Sequence, residues 1–366
     1  MERIQEVNEK LRKVRALMEQ ERLSAILLKK QANFSWITAG GLNMVGIATE
    51  IGVSSVLITY DDCYVIANKI EAPRMRDEEV GELGFKLIEY EWYENKELQI
   101  VREIVKNGEI GCDVNISGLK YMEPEINKLR YELLEPEIER YLYLGEKLSR
   151  VLESVLLFTK PGDMECEIAG RISEELWKYR IDPTGFMVAA DERAKLYRHP
   201  IPTTKKVKKL LMVSVNARYK GLITTITRMV HFGKPPEDLI KQYKDNIEIE
   251  CIMIEKTKPG KKMNEPVLAA IEEYEKRGYH GEWRLHHQGG AMGYYARDIR
   301  VTPQTEEIIR NNQAFCWNPT ISGTKSEDGF IATHSGPIMI TKPFIFPTIK
   351  IEVNGMEFIR PFLLVL

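Results

Sequence analysis

The stretch "SVNARYKGLITTITRMVHFG", Ser214 to Gly233, holds two runs of apolar and β-branched residues that are joined at Lys220-Gly221. This pattern predicts a β-hairpin whose turn lies at the Lys-Gly pair. The stretch contains no Asp or Glu, although the chain as a whole has 54 of them. Its polar positions are mainly Ser, Thr and Asn, with Arg228 near the far end. The hairpin therefore offers hydroxyl and amide groups in place of carboxylates.

The composition is that of an ordinary globular protein. The chain has 366 residues, of which 43% are hydrophobic and 29% charged, and a formal net charge of −2. This length favours two domains, and the absence of a basic block argues against a nucleic-acid or membrane-surface partner. The charged N-terminal stretch lacks the apolar region of a signal peptide, and no stretch has the roughly 18 apolar residues of a membrane span.

The five cysteines are odd in number, widely spread and never in CxxC pairs. A disulfide framework or a zinc ribbon would need regular pairs at short spacing. We therefore expect reduced thiols and a cytoplasmic protein.

The first 135 residues alternate between helix and strand patterns. Apolar residues at helical spacing predict an opening helix over residues 4–18, and short β-branched runs predict a strand at 25–30 and a hairpin at 53–68. Further helix and strand patterns follow, with a last strand expected at 131–135 (YELLE). This alternation predicts a small α/β domain over residues 1–135.

The remainder of the chain has a different texture. A long helix is expected from Pro136, a residue suited to the first turn of a helix. Long strands at 186–190 and 210–232 and two helices at 237–255 and 265–277 are expected after it. We therefore expect residues 136–366 to form a second, α+β domain.

Four stretches of the second domain concentrate His, Arg, Asn and Glu beside Gly or Pro. They are RHPIPT (198–203), the hairpin, RLHHQGGAMGYYARD (284–298) and WNPTISGTKSEDGF (317–330). In this order they resemble the pita-bread family of Xaa-Pro aminopeptidase, prolidase, methionine aminopeptidase and creatinase. The resemblance spans nearly the whole chain. It implies a pita-bread domain at 136–366, preceded by a smaller creatinase-type α/β domain at 1–135.

The peptidases of that family hold two divalent metal ions with two Asp, one His and two Glu. Aligned on the family motifs, this chain has other residues at four of these positions. The four are Ser214, Thr225, Gly290 and Asn318, whereas the fifth position keeps its carboxylate as Glu327. Because one carboxylate does not balance two divalent ions, the resemblance implies that the dinuclear Mn, Co or Zn site is lost. A shifted register that brings His287 to the metal position, or one ion at Glu327 with a nearby His, remains an alternative.

A metal-free site is still compatible with catalysis, because creatinase hydrolyses a guanidino compound without metal. By resemblance, His199 in "RHP" is a proton shuttle and Glu327 anchors a cationic group. His286 or His287, together with Asn318, would donate hydrogen bonds to a carbonyl or carboxylate. A turn or core role is the alternative for each histidine, and a structural ion pair is the alternative for Glu327.

Two arginines are candidates for substrate binding. Arg228 follows the hairpin's Thr residues, and its alternative is an ion pair with Glu327 or Asp328. Arg297 stands where the peptidases carry another histidine, and it would bind a substrate carboxylate or else pair with Asp298 or another neighbour.

The uncharged positions Ser214, Thr225 and Asn318 are either substrate contacts or a hydrogen-bonded polar floor. Strand alternation predicts that Ser326 and Asp328 point away from Glu327.

These features support three functions. The first is metal-independent hydrolysis of a C–N bond in a small amide, amidine or short peptide. The second is a non-catalytic protein that binds a peptide or small molecule. The third is an Xaa-Pro metallopeptidase, like prolidase, with atypical ligands. The family resemblance also implies a homodimer.

Overall fold

The computed structural model describes all 366 residues, and the chain divides into two compact units. The first unit comprises Met1–Glu137 with Lys220–Leu222, and the second comprises Ile138–Tyr219 with Ile223–Leu366. No helix combines the length and the apolar character needed to cross a membrane.

The first unit is built on a six-stranded sheet. The strands are β1 (Ala25–Lys30), β2 (Ile51–Thr59), β3 (Cys63–Asn68), β4 (Lys86–Tyr90), β5 (Ile110–Cys112) and β6 (Lys120–Tyr121), in the order β4-β3-β2-β1-β5-β6. The helices are α1 (Arg3–Glu21), α2 (Gln31–Ile37), α3 (Ala72–Arg74), which continues as a π-helical turn (Met75–Val80), α4 (Glu97–Ile104) and α5 (Glu123–Lys128). The central strand β1 pairs antiparallel with β2 and parallel with β5.

The observed elements follow the periodicity of the sequence. Helix α1 buries Val7, Val14 and Met18, which recur at helical spacing. β2 and β3 form the expected antiparallel hairpin. The strand expected at 131–135 is absent, since this segment is a turn that leads into the next helix. Its apolar run is instead explained by Leu133, which is 2% exposed in that turn.

The second unit is built on a nine-stranded sheet. Its strands are β7 (Asp182–Ala190), β8 (Leu210–Tyr219), β9 (Leu222–His231), β10 (Gly289–Ala291), β11 (Ile299–Arg300), β12 (Gln313–Trp317) and β15 (Asp328–Ala332), in the order β11-β10-β12-β15-β9-β8-β7, with β16 (Ile338–Met339) on β15 and β19 (Leu364–Val365) on β9. Two small hairpins add β13 (Thr320–Ile321) to β14 (Thr324–Lys325) and β17 (Thr348–Val353) to β18 (Met356–Pro361).

Five helices accompany this sheet. They are α6 (Glu135–Leu157), α7 (Glu165–Trp177), α8 (Arg193–Leu196), α9 (Glu237–Lys256) and α10 (Asn264–Lys276), with a 3-10 turn at Glu282–Leu285. The main hydrophobic core lies between the sheet and helices α9 and α10, and it includes Met229, Ile247 and Trp317. This core fixes the strands whose ends and polar faces form the site described below.

The hairpin β8–β9 turns at the predicted place. Lys220 has φ 47° and Gly221 has φ 86°, so both central residues of the turn adopt left-handed backbone conformations. Two such residues match the twist of a tight antiparallel hairpin. All ten residues of β9 are buried, so its polar side chains must find partners inside the protein.

Candidate functional site

The centre of the site is Glu327, which lies between β14 and β15 and is 1% exposed. The Lys325 ammonium nitrogen lies 2.7 Å from its Oε2, and Arg297 Nη2 lies 3.1 Å from its Oε1. The Thr227 hydroxyl donates a hydrogen bond to Oε2 over 2.7 Å. One buried carboxylate is thus held by two cations and a hydroxyl.

Hydroxyl groups of the hairpin connect these charges. The Lys325 ammonium donates to Ser214 Oγ over 3.3 Å, and Ser214 Oγ lies 2.6 Å from Thr227 Oγ1. Because the Thr227 hydroxyl hydrogen goes to Glu327, the Ser214 hydroxyl must donate to Thr227. A continuous hydrogen-bond chain therefore runs from the ammonium to the carboxylate.

Thr225 lies on the same face of β9 as Thr227, two residues away. Its Oγ1 accepts a hydrogen bond from Arg297 Nη1 over 3.3 Å. Ser214 and Thr225, which match the two Asp positions of the resemblance, thus both accept hydrogen bonds from cationic side chains.

The charges determine the protonation of Glu327. Burial alone would raise its pKa, but the positive charges of Lys325 and Arg297 and the hydrogen bonds that it accepts lower the pKa to about 2. The carboxylate is therefore ionised at neutral pH and balances one of the two neighbouring cations.

Three histidines converge beside this cluster. The rings of His286 and His287 lie 4.5 Å apart between centroids, and that of His199 lies 4.9 Å from His286 and 5.7 Å from His287. His199 is an exposed residue of the loop between α8 and β8, whereas His286 directly follows the 3-10 turn at Glu282–Leu285. His286 is 8% exposed, so it is the most enclosed of the three.

Hydrogen bonds assign the tautomer of His286. The Thr320 hydroxyl donates to the Asn318 carbonyl oxygen over 3.1 Å, so it has no hydrogen left for His286 Nδ1, 3.0 Å away. His286 Nδ1 must then carry the proton and donate to Thr320. Its Nε2 is the acceptor for His199 Nε2–H, at 3.0 Å. Sequence reasoning expected His286 to donate to a substrate carbonyl; in this arrangement both of its ring nitrogens are already engaged.

All three histidines are shifted towards the neutral form. Burial, followed by the charge of Lys325, lowers the pKa of His286 to about 2. Burial, followed by the charge of Arg297, lowers the pKa of His287 to about 3. The pKa of His199, the most exposed of the three, is also lowered, first by the partial loss of hydration around its ring and then by the charge of Lys325. Neutral imidazoles keep a lone pair that can accept a proton or bind a metal.

Gly290, which matches the ligand histidine in the gapless register, has no room for a side chain. It has φ 152°, and a Cβ there would lie 2.0 Å from the Ile299 carbonyl oxygen. The cause is the position of β10 between β11 and β12 in the sheet. Only glycine therefore fits at this position without a clash.

Asn318 lies just after β12 and is 2% exposed. Its backbone N–H donates to the Gln288 carbonyl oxygen, but its side-chain Oδ1 has no hydrogen-bond partner. Arg297 Nε and His287 Nδ1 are also buried without a partner. Buried polar atoms normally find partners, so these three atoms have an unused capacity for hydrogen bonding.

Arg228 belongs to a different cluster. It is fully buried, and its guanidinium lies 2.9 Å from Glu153 and 3.1 Å from Asp328. Asp328 also pairs with Arg360 at 2.9 Å. These contacts match the ion-pair alternative for Arg228 and give no support to substrate binding. They also place Asp328 on the side of the strand opposite Glu327, as alternation predicts.

The chain also matches a known protein family. The model of "Metallopeptidase family M24" matches residues 139–352. The chain belongs to this family.

Individual relatives are distant but cover most of the chain. An "Xaa-Pro dipeptidase" of Pyrococcus horikoshii is 23% identical over 355 residues, which is 92% of this chain and 97% of the relative. The crystal structure of the prolidase from Pyrococcus horikoshii OT3 superposes with a TM-score of 0.78 at 20% identity, over 92% of this chain and 99% of that one. The pita-bread fold expected from the sequence is confirmed.

The same fold also occurs in a protein whose name describes no peptidase. The N-terminal domain of FACT complex subunit SPT16 from chickpea has a TM-score of 0.71 at 15% identity, over 93% of this chain and 96% of that one. A likeness of this kind establishes the fold and leaves the chemistry to the site.

The residues of this site do not form the two-metal ligand set of the resemblance. Ser214, Thr225 and Asn318 are neutral oxygen ligands, Gly290 has no side chain, and Glu327 alone is a carboxylate. Two divalent ions would need more negative charge than one carboxylate provides.

Sequence reasoning missed three residues of this site. Lys325 and Thr227 lie two residues from Glu327 and Thr225, so strand alternation alone already placed each pair on one face. Thr320 carried no such signal, because its contact with His286 joins segments 34 residues apart.

Proposed function

We propose that this M24-family protein is a metal-independent, Xaa-Pro-peptidase-like hydrolase of a C–N bond in a small amide, amidine or short peptide. The observation that carries the proposal is the Lys325 ammonium, which bonds to Ser214 and Glu327, two residues that match metal-ligand positions. The Lys325 ammonium group thus lies among the residues that match the metal ligands of the family.

The charge balance supports this proposal. Lys325 and Arg297 bring two positive charges, and Glu327 brings one negative charge. The three neutral histidines add none. Two divalent ions added to this arrangement would meet repulsion from both cations, and the neutral hydroxyls would not replace the ions' lost hydration.

His199 is the proton acceptor of the proposed reaction. Its Nε2–H is engaged with His286, so its Nδ1 carries the lone pair that would take a proton from an attacking water. His286 keeps the ring of His199 oriented through this bond, and Thr320 orients His286 in turn. The imidazolium so formed would return its proton to the leaving nitrogen.

The substrate contacts of the proposal are the three unpartnered polar atoms. Arg297 Nε–H would donate to a carboxylate or carbonyl oxygen, and Asn318 Oδ1 would accept from an N–H group. His287 Nδ1 would complete the set. A short peptide or a small amide with a carboxylate offers both kinds of group.

Two observations favour binding without turnover as a second candidate. The cations of the site are already bonded to Glu327, and the same fold occurs in a FACT complex subunit. In this alternative the unpartnered atoms of Arg297, Asn318 and His287 recognise a ligand, and His199 moves no proton.

The proposal includes a homodimer that acts on small molecules or short peptides in a reducing, cytoplasmic compartment, with no nucleic-acid partner. The solved structures that superpose on this chain include a prolidase, an Xaa-Pro dipeptidase and a further dipeptidase, in line with a small substrate. All five cysteines are free thiols in the structure, in line with a reducing compartment. Light scattering on the purified protein tests the oligomeric state.

The decisive experiment measures metal content and turnover on one preparation. Untagged protein is analysed for metals and assayed on Xaa-Pro dipeptides and on small carboxylated amides and amidines, with chelator or with added Mn²⁺ or Co²⁺. We expect turnover that survives the chelator. Two bound ions with chelator-sensitive cleavage of Xaa-Pro dipeptides would establish the metallopeptidase alternative instead.

Substitution of His199 separates turnover from binding. His199→Gln should lower kcat roughly 10²-fold or more, the contribution of a positioned base. His334→Ala, a change of an exposed histidine, is the matched control and should leave kcat unchanged. A protein that binds such a ligand but turns over none of the substrates would support the binding alternative.

A further inference from the structure

The three histidines of the site form a cluster of their own. One ring nitrogen from each of His199, His286 and His287 lies within 4.8 Å of the other two. These residues differ from the Asp, Asp, His, Glu, Glu set of the family resemblance, because none of them occupies one of its five positions in the gapless register. A metal ion held by these three residues would therefore lie in a different site from the family's dinuclear centre.

The orientation of His286 is that of a prepared metal ligand. Its Nδ1–H donates to Thr320, so the lone pair of Nε2 points away from that bond and towards His199. Metal-binding histidines commonly donate their second ring N–H to a neighbouring oxygen, and this bond fixes both the tautomer and the ring plane. The Nε2 atoms of His286 and His199 lie 3.0 Å apart.

His287 supplies an independent indication. Its Nδ1 is buried and has no hydrogen-bond partner in the protein. A buried nitrogen without a partner is rare, because its lost hydration goes uncompensated. A bound ion or ligand next to this ring would remove that deficit.

We propose that His199, His286 and His287 bind one divalent transition-metal ion of the zinc and copper class. Imidazole nitrogens suit Zn²⁺, Cu²⁺ and Ni²⁺, whereas Mn²⁺ and Mg²⁺ prefer oxygen ligands. In a tetrahedral zinc site the ligand nitrogens are separated by about 3.3 Å, given Zn–N bonds of about 2.0–2.1 Å. The closest pair is already near this separation, and His199 is exposed on a loop, where its ring can rotate towards the others.

The net positive charge around the site favours an anion as the fourth ligand of the metal. Lys325 and Arg297 oppose a divalent ion, and Glu327 offsets one of them. An anion such as hydroxide, chloride or a substrate carboxylate would therefore complete the coordination, since it lowers the net charge that the two cations meet.

This metal site does not require the proposed hydrolysis to be correct, but it uses the same histidines, so metal binding would oppose the reaction. An ion held by His199 and His286 takes the lone pairs that the proposed reaction needs for proton transfer. Zinc should therefore inhibit turnover, whereas a catalytic metal would activate it.

The test uses untagged protein, freed of metal with a chelator and titrated with Co²⁺ as a visible-spectrum probe and with Zn²⁺ by calorimetry. We expect one ion per chain and displacement of Co²⁺ by Zn²⁺. His199→Ala and His287→Gln should each weaken Zn²⁺ binding at least tenfold. His334→Ala is the matched control and should not change it, and circular dichroism confirms that each variant is folded.

Three results would overturn the proposal. They are the absence of saturable binding, affinity that is unchanged in both His199→Ala and His287→Gln, and binding that is lost in Glu327→Gln but kept in the histidine variants. Because these titrations need no substrate, they stand whether or not the protein turns any over. Chelator-sensitive activity with two bound Mn²⁺ ions would contradict the proposed function separately.

Discussion

The Lys325 ammonium nitrogen lies 2.7 Å from the Glu327 carboxylate, and both side chains are 1% exposed. The pair is the innermost part of the candidate site, and Arg297 contacts the same carboxylate from its other oxygen. Removing one member of a buried ion pair leaves the other charge buried without compensation, which costs far more than the pair contributes. Measurements of stability therefore test this relationship without any knowledge of the substrate.

Lys325→Met should lower the free energy of unfolding by about 3 kcal/mol, the lower end of the range for a broken buried pair, because Arg297 still balances Glu327. Urea denaturation measures the change. The control is Lys241→Met. The Lys241 side chain is 70% exposed and pairs with Asp245 at the surface, so this substitution should cost less than about 0.5 kcal/mol. Equal effects of the two substitutions would contradict a buried pair at Glu327.

A double-mutant cycle isolates the interaction between the two residues. Lys325→Met combined with Glu327→Gln should be less destabilised than the sum of the single variants, because the double variant does not leave the Lys325 ammonium buried without its carboxylate. The loss of the Arg297 partner is common to Glu327→Gln and the double variant and cancels in the cycle. A coupling energy near zero would show that the ammonium and the carboxylate do not interact in solution.

The stability should also depend on acid pH through Glu327. An unfolded chain binds this proton near pH 4.3, whereas the folded protein binds it near pH 2. Between these values the unfolded state holds more protons, so stability rises with pH. The contribution, on the order of 3 kcal/mol, is complete above about pH 5 and is lost as the pH falls towards 2.

Urea denaturation at a series of pH values between 3 and 6 measures this slope. Glu327→Gln should flatten it, because the amide does not titrate. Glu306→Gln changes a carboxylate that forms a surface pair with Lys262, and it should leave most of the slope intact. If the Glu327 variant kept the full slope, other groups would have to be its source.

Gly290 stands at the position that matches the histidine ligand of the family's metal site, and a substitution there tests whether any side chain fits. Gly290→Ala places a Cβ 2.0 Å from a carbonyl oxygen of β11 and should destabilise the protein by about 3 kcal/mol through clash and backbone strain. Gly336→Ala is the control, since Gly336 also has a left-handed φ, 111°, but open space around it. Similar losses of stability in the two variants would show that the whole cost comes from the backbone conformation. In that case position 290 would have room for a side chain.

Local signals in the sequence predicted most of the helices and strands. Strand alternation could also have predicted that Lys325 lies beside Glu327. The Lys220-Gly221 turn and the helix after Pro136 follow from residue types alone. Alternation along the strand placed Asp328 away from Glu327, and the same rule places Lys325 beside it. The expected strand at 131–135 was wrong because the apolar Leu133 is buried in a turn.

The convergence of the histidines could not be read from the sequence. His199 and His286 are 87 residues apart, and both lie in segments outside the strands that the fold brings together. The tautomer of His286 depends on Thr320, on a separate small hairpin. Long-range contacts of this kind depend on the packing of loops in the folded protein, which local periodicity does not encode.

The hydrogen bond from His286 to Thr320 provides the last prediction. Thr320→Val keeps the shape of the side chain but removes the oxygen that accepts from His286 Nδ1. With this acceptor lost, the proton is free to move to Nε2, where it would face the Nε2–H of His199 at 3.0 Å. The orientation of His199 would be lost, and kcat should fall roughly tenfold, part of the contribution of a positioned base.

Nitrogen NMR of the histidine rings reports the tautomer directly and needs no substrate. Wild-type protein should show His286 protonated at Nδ1, and Thr320→Val should show a mixture or the Nε2 form. Thr320→Ser retains the hydroxyl and should restore both the Nδ1 form and kcat. A purely structural role for Thr320 predicts a loss of stability with the tautomer unchanged, and that result would remove Thr320 from the chain that orients His199.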